Sequence, residues 1–348
     1  MIKFVEYNEV LENPKEYILI DVRSPKEFNE ATIPGAVNIP LFTNEEREKI
    51  GYVYVNESVE KAKRIGIEAI SARLPYIYDR IVSLYKPHKR LAFFCAKGGM
   101  RSGSISSLIN SLGFNSYKLK GGYKGYRDFI NKQLPLINED IKYIVIHGKT
   151  GTGKTEILSR LREKGFDVLD LEYAANHRGS LLGNVGLGEC RSQKMFESLV
   201  YEELSLRKSK YVFVEGESKR IGRIIISQCI FNKMNEGYHV YLEGDVSFRR
   251  ENLLREYTSP DNADMEIIED LEAMKKHISE KNIIRYKDMI MNREYDKVCE
   301  ELMIKYYDPM YINSMKKHEF VEKMYIESIE DGVNKLQKWF EDNLQLEG

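Results

Sequence analysis

A short apolar run followed by a glycine-rich loop and a helix constrains this chain more than any other feature. Residues 143–147 predict a buried strand, residues 148–155 fit the pattern G-x-x-x-x-G-K-[ST], and a helix is expected from Glu156. The glycines let the backbone wrap a di- or triphosphate, Lys154 supplies a positive charge, and Thr155 can hold Mg²⁺. The predicted phosphate-binding residues are Gly148, Lys149, Thr150, Gly151, Thr152, Gly153, Lys154 and Thr155.

A second glycine-containing loop follows the apolar run at residues 91–94, which predicts a buried strand that ends at Cys95. The glycines let successive N–H groups point inward, and a helix that begins beyond Ser102 adds its positive dipole end. With Arg101 and Lys97 nearby, we expect this environment to lower the pKa of the Cys95 thiol. A buried structural cysteine is the competing interpretation. The predicted catalytic residues are Cys95 and Arg101, and the rest of the loop is Ala96, Lys97, Gly98, Gly99, Met100 and Ser102.

Length and composition limit the class of protein. A chain of 348 residues that is 42% hydrophobic predicts two domains, at residues 1–133 and 140–348, with a proline-containing acidic linker at 134–140. The net charge of −1 excludes binding of nucleic acid by bulk charge alone and leaves a local basic face open. Four dispersed cysteines favour a reducing compartment. With neither a signal peptide nor an apolar run of about 18 residues, we expect a cytoplasmic protein with no membrane contact.

Charged groups at predicted strand ends form the remaining candidate sites. Asp21 and Arg23 follow a short apolar strand, and they either support the chemistry or pair with each other to hold the loop. In the second domain, two carboxylates lie at the end of the predicted strand at 211–215 and two residues beyond it. Either carboxylate can orient a metal or water, or both can pair with the basic residues that follow. These two candidates are Glu215 and Glu217.

Two further stretches of the second domain carry candidate binding residues. His177 and Arg178, beside a glycine in the polar stretch 170–180, suit a loop that contacts anions, with a solvated loop as the alternative. From Phe248 onward the spacing predicts helices. These helices carry either a solvated surface or a basic face with interleaved tyrosines. The residues of that face are Lys275, Lys276, Lys281, Arg285, Lys316, Lys317, Tyr286, Tyr306, Tyr307 and Tyr311.

The first domain resembles a rhodanese domain. The resemblance rests on residues 21–28, 33–40, the Cys95 loop and residues 121–123, in that family's order and spacing, with Thr32 where the family often has histidine. It implies a cysteine that carries sulfur or selenium. A cysteine separated by five residues from an arginine is also the signature of tyrosine and dual-specificity phosphatases, although no motif here supplies the acid that a phosphatase needs. The expected fold class is α/β, with a rhodanese-like parallel-sheet domain, then a P-loop NTPase-like domain with a helical C-terminal region.

The order of these domains and four further stretches resemble the tRNA 2-selenouridine synthase family. The stretches are residues 43–51, 98–102, 177–180 and 217–222, whereas Ala96 and Lys97 depart from the aromatic-arginine pair common after that family's cysteine. The resemblance implies replacement of sulfur by selenium in wobble 2-thiouridine of tRNA. It further implies selenophosphate as the selenium source and an S-geranylated intermediate made from geranyl diphosphate. No tightly bound cofactor is implied beyond an optional Mg²⁺, and an enzyme that supplies selenophosphate is a candidate partner.

Several alternatives stay open from the residues alone. The phosphate-binding loop suits geranyl diphosphate or a nucleotide equally well. A sulfurtransferase acting on tRNA or a small molecule, a rhodanese-fold phosphatase or regulated NTPase, and a tRNA-binding module with an inactive cysteine are the competing functions.

Overall fold

The computed structural model describes residues 2–179, 187–257, 263–273, 275, 278–309, 311 and 318–344. The chain divides into two units, Met1–Leu134 and Pro135–Gly348. Each unit contains a five-stranded parallel sheet with helices between its strands. This confirms the predicted α/β class.

The sheet of the first unit has the strand order β1-β5-β4-β2-β3, and every pair in it is parallel. Its centre is β4, whose residues 91–94 are fully buried, as the apolar run predicts. The strands are β1 Phe4–Val5, β2 Tyr17–Asp21, β3 Val37–Asn38, β4 Arg90–Phe94 and β5 Ser116–Leu119. The carboxyl ends of β2 and β4 lie side by side, because Asp21 pairs in register with Phe94.

The helices of this unit begin at recognisable caps. Ser24 and Glu27 form a capping box at the start of α2, with Pro25 in the first turn, and Thr43 and Glu46 do the same for α3. The helices are α1 Tyr7–Glu12, α2 Pro25–Glu30, α3 Asn44–Asn56, α4 Val59–Leu84, α5 Met100–Ser111 and α6 Gly122–Glu139. The predicted linker at 134–140 is therefore helical through Glu139, with Pro135 inside α6.

The sheet of the second unit has the strand order β12-β11-β6-β8-β7 and is also entirely parallel. Its strands are β6 Lys142–Gly148, β7 Val168–Leu169, β8 Tyr211–Glu215, β11 Tyr238–Glu243 and β12 Glu322–Tyr325. A separate antiparallel pair joins β9 Arg220–Ile221 to β10 Ile224–Ile225. Parallel strands end at one edge of a sheet, so the segments that follow β6, β7 and β8 can build one site.

Helices cover this second sheet and form a further helical cluster. They are α7 Lys154–Glu163, α8 Leu171–Ala175, α9 Gln193–Ser205, α10 Gln228–Asn235, α11 Val246–Tyr257, α12 Ala263–Ala273, α13 Glu280–Met291, α14 Tyr295–Leu302 and α15 Ile329–Asn343. A π-helical turn, Met303–Tyr307, continues α14. The expectation that everything beyond Phe248 is helical is wrong at β12, an edge strand in which only Met324 is buried, so that its apolar pattern is weak.

A membrane-spanning helix would need a long apolar stretch, and the helices found in the described part of the chain contain none. All four cysteines are free thiols.

Candidate functional site

Cys95 is the first residue after β4, and its side chain is buried with 3% exposure. The turn at residues 121–122 supports its loop from behind. The Tyr123 N–H donates to the Cys95 carbonyl at 2.9 Å, and the Lys124 N–H donates to the Ala96 carbonyl at 2.9 Å. Gly122 has a φ of +59°, and a Cβ there would lie 2.3 Å from the Cys95 carbonyl oxygen. Only glycine fits this close approach, which explains the glycine pair before Tyr123.

Hydrogen bonds surround the Cys95 sulfur. Ser102 Oγ lies 3.3 Å from Sγ, and the Gly99 N–H donates to Sγ at 3.3 Å. Helix α5 begins at Met100, two residues before Ser102 and earlier than the sequence predicts, so that Ser102 lies in its first turn. Burial by itself raises the pKa of a thiol. Here the contacts with Ser102, the positive charge of Arg101 and the Gly99 N–H outweigh burial, and the pKa of Cys95 lies below its usual value.

Arg101 is engaged by a carboxylate that the sequence did not single out. Its Nη1 donates to Glu27 Oε2 at 2.7 Å and its Nη2 to Glu27 Oε1 at 3.3 Å. Burial acts to raise the pKa of Glu27, but the Arg101 guanidinium dominates and holds it below the usual range. The capping box and this ion pair together hold α2 beside the loop. Met100 and Lys97 are exposed at the mouth of the loop.

Asp21 and Arg23 form a buried ion pair at the carboxyl end of β2, beside the end of β4. Arg23 Nη2 lies 2.6 Å from Asp21 Oδ2 and donates to the Ala31 carbonyl at 2.7 Å, and the two side chains are 0% and 6% exposed. The Arg23 guanidinium lies 4.2 Å from the Tyr123 ring centre, and Thr32 Oγ1 donates to Asp21 Oδ2 at 2.9 Å. These contacts favour the interpretation in which the pair holds the loop together.

In the second unit, the phosphate-binding loop connects β6 to α7, as its pattern predicts. Gly151 and Gly153 have φ angles of +83° and +75°, a left-handed conformation that favours glycine. Helix α11 holds this loop from one side. Arg249 Nε donates to the Thr150 carbonyl at 2.9 Å, and Asn252 Nδ2 donates to the Gly151 carbonyl at 2.9 Å. Arg249 is only 2% exposed.

Lys154 and Thr155 begin α7 with their polar groups at the loop. Lys154 Nζ donates to the Gly148 carbonyl at 3.1 Å and lies 5.7 Å from the Tyr311 ring centre.

His147, directly before the loop, is buried, and burial lowers its pKa to about 3. The ring is therefore neutral at physiological pH.

A pair of carboxylates completes this site. Thr155 Oγ1 donates to Glu172 Oε2 at 2.9 Å, and Glu172 is hydrogen-bonded to Glu217. Burial raises the pKa of Glu217, although the charge of Lys154 opposes the shift. The raised pKa means that Glu217 takes up a proton at a higher pH than an ordinary carboxyl group.

Glu215 occupies a different environment from Glu217. Its side chain is fully buried at the end of β8, where Oε2 accepts the Leu171 N–H at 3.1 Å. Burial and the nearby charges of Asp170 and Glu172 raise its pKa well above the usual value. Glu172 influences the pKa of both carboxyl groups, whereas the charge of Lys154 is among the causes only for Glu217.

A cavity of about 540 Å³ opens in front of the loop within this unit. Its lining includes Thr150, Gly151, Gly153, Lys154, Thr155, Glu172, Tyr173, His177, Arg178, Asn252, Arg255 and Tyr311. His177 Nδ1 accepts the Gly179 N–H at 3.1 Å, and burial lowers the pKa of this imidazole. The loop, His177, Arg178 and Glu172 thus share one cavity.

Sequence reasoning missed four contributors to these sites, which are Glu27, Glu172, Arg249 and Asn252. Glu172 carried a usable signal, because it follows β7 closely, and a carboxylate near a strand end is a candidate ligand. The other three lie on helices whose patterns reveal no partner.

The predicted basic face is only partly described by the structure. Tyr286 and Tyr307 are buried in the core of the helical cluster and cannot stack on bases there. Arg285 pairs with Glu301, whereas Lys275 and Lys281 are exposed. Ser180, Lys276, Lys316 and Lys317 lie outside the described residues.

Fold and sites define a two-domain protein in which a cysteine-loop domain precedes a phosphate-loop domain. The rhodanese-like domain family matches residues 5–129, and the family described as the tRNA 2-selenouridine synthase AAA domain matches residues 141–345. The chain belongs to the tRNA 2-selenouridine synthase family.

Individual relatives agree with this assignment. A tRNA 2-selenouridine synthase of Bdellovibrio bacteriovorus is 30% identical over 336 residues, which are 94% of this chain and 86% of that protein. The synthase of Nitrosomonas eutropha is 32% identical over 246 residues, which are 69% of this chain and 62% of that protein. The solved N-terminal domain of a Clostridium difficile 630 protein is 38% identical, covers 37% of this chain and 98% of its own, and has a TM-score of 0.35.

Proposed function

We propose that this chain replaces the sulfur of wobble 2-thiouridine in tRNA with selenium from selenophosphate, through an S-geranylated intermediate made from geranyl diphosphate. The observation that carries the proposal is the presence, in one chain of this family, of a hydrogen-bonded thiol with a lowered pKa and a loop of the phosphate-binding pattern. Geranyl transfer needs a site that stabilises departing diphosphate, and selenium transfer needs a second set of groups. We assign these steps to the second and first units respectively.

In the geranylation step, the sulfur of 2-thiouridine attacks the first carbon of the geranyl group, the C–O bond breaks, and diphosphate leaves with the electron pair. The N3 proton of the base passes to solvent, which leaves a neutral S-geranyl nucleoside. The loop N–H groups and Lys154 are suited to the charge that develops on the diphosphate. Thr155, Glu172 and Glu217 supply the oxygen ligands that Mg²⁺ prefers, so these residues would hold a Mg²⁺ that offsets the same charge. His177 and Arg178 line the same cavity.

In the selenium step, the Cys95 thiolate cleaves selenophosphate. A perselenide on Cys95 would require an oxidant, because selenium in selenophosphate is at the selenide level. Attack of the Cys95 thiolate on the phosphorus atom of selenophosphate needs no oxidant. The S–P bond forms, the P–Se bond breaks, and selenide leaves with the electron pair. Selenide then displaces geranyl thiolate from the uridine ring, and water hydrolyses the phosphocysteine. The loop N–H groups and Arg101 face the phosphoryl oxygens in this step.

The test is a comparison of tRNA products made by purified variants. Transfer RNA with wobble 2-thiouridine is incubated with geranyl diphosphate and selenophosphate, and its nucleosides are identified by mass spectrometry. Cys95→Ala should accumulate geranylated nucleoside without selenouridine, because it removes one sulfur atom from a loop held by its backbone. Lys154→Ala should leave 2-thiouridine unchanged.

Matched controls are Cys299→Ala and Lys208→Ala. Burial raises the pKa of Cys299 to about 12, which makes it an unreactive thiol, and Lys208 is exposed. Both controls should retain wild-type product. Wild-type yields of selenouridine from Cys95→Ala would refute the division of roles. A wild-type enzyme that makes selenouridine without geranyl diphosphate would refute the geranylated route.

The same Lys154→Ala variant identifies the ligand of the phosphate-binding loop. Calorimetric titration of the wild type with geranyl diphosphate should give binding that the variant loses, because a charge is removed from the loop without loss of core packing. Titration with ATP and GTP decides between the geranyl and nucleotide alternatives. Failure of the wild type to bind any of the three would refute the assignment of this loop.

A further inference from the structure

Three histidines from distant parts of the chain meet in the second unit, outside the sites described above. They are His147 at the end of β6, His239 in β11 and His318 in the segment before β12. One ring nitrogen of each lies within 4.8 Å of the others. His147 and His239 are 7% and 6% exposed, and His318 is partly exposed. Neither catalytic assignment above uses any of them.

The hydrogen bonds of His239 fix which of its nitrogens is available. Its Nε2 lies 3.2 Å from the Asn235 carbonyl oxygen, which can only accept, so Nε2 carries the proton. Its Nδ1 therefore presents a lone pair toward the cluster, and His147 Nε2, 2.8 Å away, donates its N–H to it. A metal ion bound between the two rings would take the place of that proton. Donation of one ring N–H to a backbone carbonyl while the other nitrogen faces a shared centre is the arrangement of histidines that bind metals.

The spacing of the nitrogens suits a small transition-metal ion. Metal–nitrogen distances of about 2.0–2.1 Å in tetrahedral geometry place ligand nitrogens about 3.3 Å apart. The observed distances bracket this value, from 2.8 Å between His147 and His239 to the 4.8 Å limit of the cluster. Rotation about the soft Cβ–Cγ bonds of the rings is enough to close the difference. The His318 ring already stacks on His239, with ring centres 4.4 Å apart.

We propose that His147, His239 and His318 form a binding site for a divalent transition metal of the Zn²⁺ class. Three imidazole ligands favour zinc or a neighbouring metal over Mg²⁺ or Ca²⁺, which prefer oxygen ligands. Three protein ligands leave a fourth position for water, on the side where His318 is partly exposed. The Phe320 ring, whose centre lies 5.4 Å from the His147 ring centre in a T-shaped arrangement, adds an apolar neighbour.

Such a metal would connect segments that chain connectivity leaves apart. His147 directly precedes Gly148, the first glycine of the phosphate-binding loop, and His318 precedes the edge strand β12, which pairs with β11. The bound ion would thus fix the end of β6 to its neighbouring strand β11 and to the segment that leads into β12. We expect the second unit to be more stable when the metal is bound, because ligand binding to the folded state shifts the unfolding equilibrium.

The test uses the full chain without a polyhistidine tag. Metal-free protein is titrated with Co²⁺ and then Zn²⁺. We expect one equivalent of Co²⁺ with visible bands of a tetrahedral site, no thiolate-to-cobalt charge-transfer band, and displacement by Zn²⁺. His318→Gln is the test variant because its ring is the most exposed of the three. Its affinity should fall by more than the roughly 10- to 100-fold that loss of an outer-shell partner costs.

The matched control is His88→Gln, which removes an exposed histidine of the first unit and should bind Co²⁺ like the wild type. Zn²⁺ should raise the Tm of the wild type and of His88→Gln, and leave that of His318→Gln unchanged. A thiolate charge-transfer band, a wild type with no Co²⁺ bound, or equal Zn²⁺ effects on all three proteins would overturn the proposal. The cluster would then be a hydrogen-bonded histidine pair with a stacked third ring.

Discussion

Ser102 Oγ, in the first turn of α5, lies 3.3 Å from Cys95 Sγ, and this contact is the largest of the influences that stabilise the thiolate. Ser102→Ala removes the hydroxyl without changing the loop backbone. We expect the pKa of Cys95 to rise, because burial is then opposed by less hydrogen bonding. The rate of alkylation by iodoacetamide at neutral pH should fall several-fold, and its pH profile should move to higher pH.

Ser104→Ala is the matched control, since Ser104 is exposed on the same helix and its hydroxyl donates to the Arg101 carbonyl at 3.1 Å. Its pH profile should match the wild type. Peptide mapping assigns the labelled cysteine, with Cys299 as an internal thiol of raised pKa. An unchanged profile for Ser102→Ala would contradict the role given to the hydroxyl.

The carboxyl pair Glu172 and Glu217 predicts pH-dependent binding of Mg²⁺. Because burial raises the pKa of Glu217, the pair holds a proton above the usual range of a carboxyl group. Mg²⁺ must displace that proton, so its affinity should rise as the pH rises through the raised pKa and fall below it. Calorimetry in two buffers of different ionisation enthalpy measures the proton release directly.

Glu172→Gln tests the same pair by mutation. An interaction with a charged group contributes about 1.5–3 kcal/mol, so Mg²⁺ affinity should fall by about tenfold or more. Glu163→Gln, an exposed glutamate near the end of α7, is the control and should bind Mg²⁺ normally. Binding without proton release in the wild type would contradict the raised pKa of Glu217.

The buried Asp21–Arg23 pair predicts a large effect on stability. Asp21→Asn leaves the buried guanidinium without its counter-charge, which should cost about 3–5 kcal/mol of unfolding free energy. Replacing both residues, as Asp21→Asn with Arg23→Met, should recover part of that loss because no isolated charge remains. Denaturant titration provides the measurement.

Glu68→Gln is the control for this pair, since Glu68 and Arg64 form an ion pair whose side chains are 67% and 84% exposed. Its effect should stay within about 1 kcal/mol. If Asp21→Asn is equally mild while selenium transfer is lost, Asp21 takes part in the chemistry and does not merely hold the loop.

Binding of tRNA should depend steeply on salt although the net charge is −1. Each phosphate contact contributes a slope of about −0.7 to −0.9 in log affinity against log salt. Filter binding across a salt series measures it, and Lys281→Gln should reduce the slope by about one if this exposed lysine meets a phosphate. Lys63→Gln, on the exposed surface of α4, is the control. A flat response in the wild type would argue against tRNA as the substrate.

The sequence by itself determined the two loops and the strands before them. Each is built from consecutive residues, so the apolar run, the glycines with positive φ and the following helix are all visible in one stretch. That local chemistry was enough to predict the α/β class and the phosphate-binding loop after β6. It also predicted the position of Cys95 after β4. The family followed from the order of such motifs.

Tertiary structure alone decided which distant side chains meet. Arg101 bonds to Glu27, 74 positions away, and Thr155 bonds to Glu172. Arg249 donates to a carbonyl of the phosphate-binding loop 99 positions away. The end of β8 determined that Glu215 is the last residue of the strand and that Glu217 lies beyond it. The edge strand β12 was not predicted because only Met324 is buried in it. A pattern of spacings records which face of an element is apolar. The partner that each polar side chain meets depends on how the strands are ordered in the sheet, which local sequence does not encode.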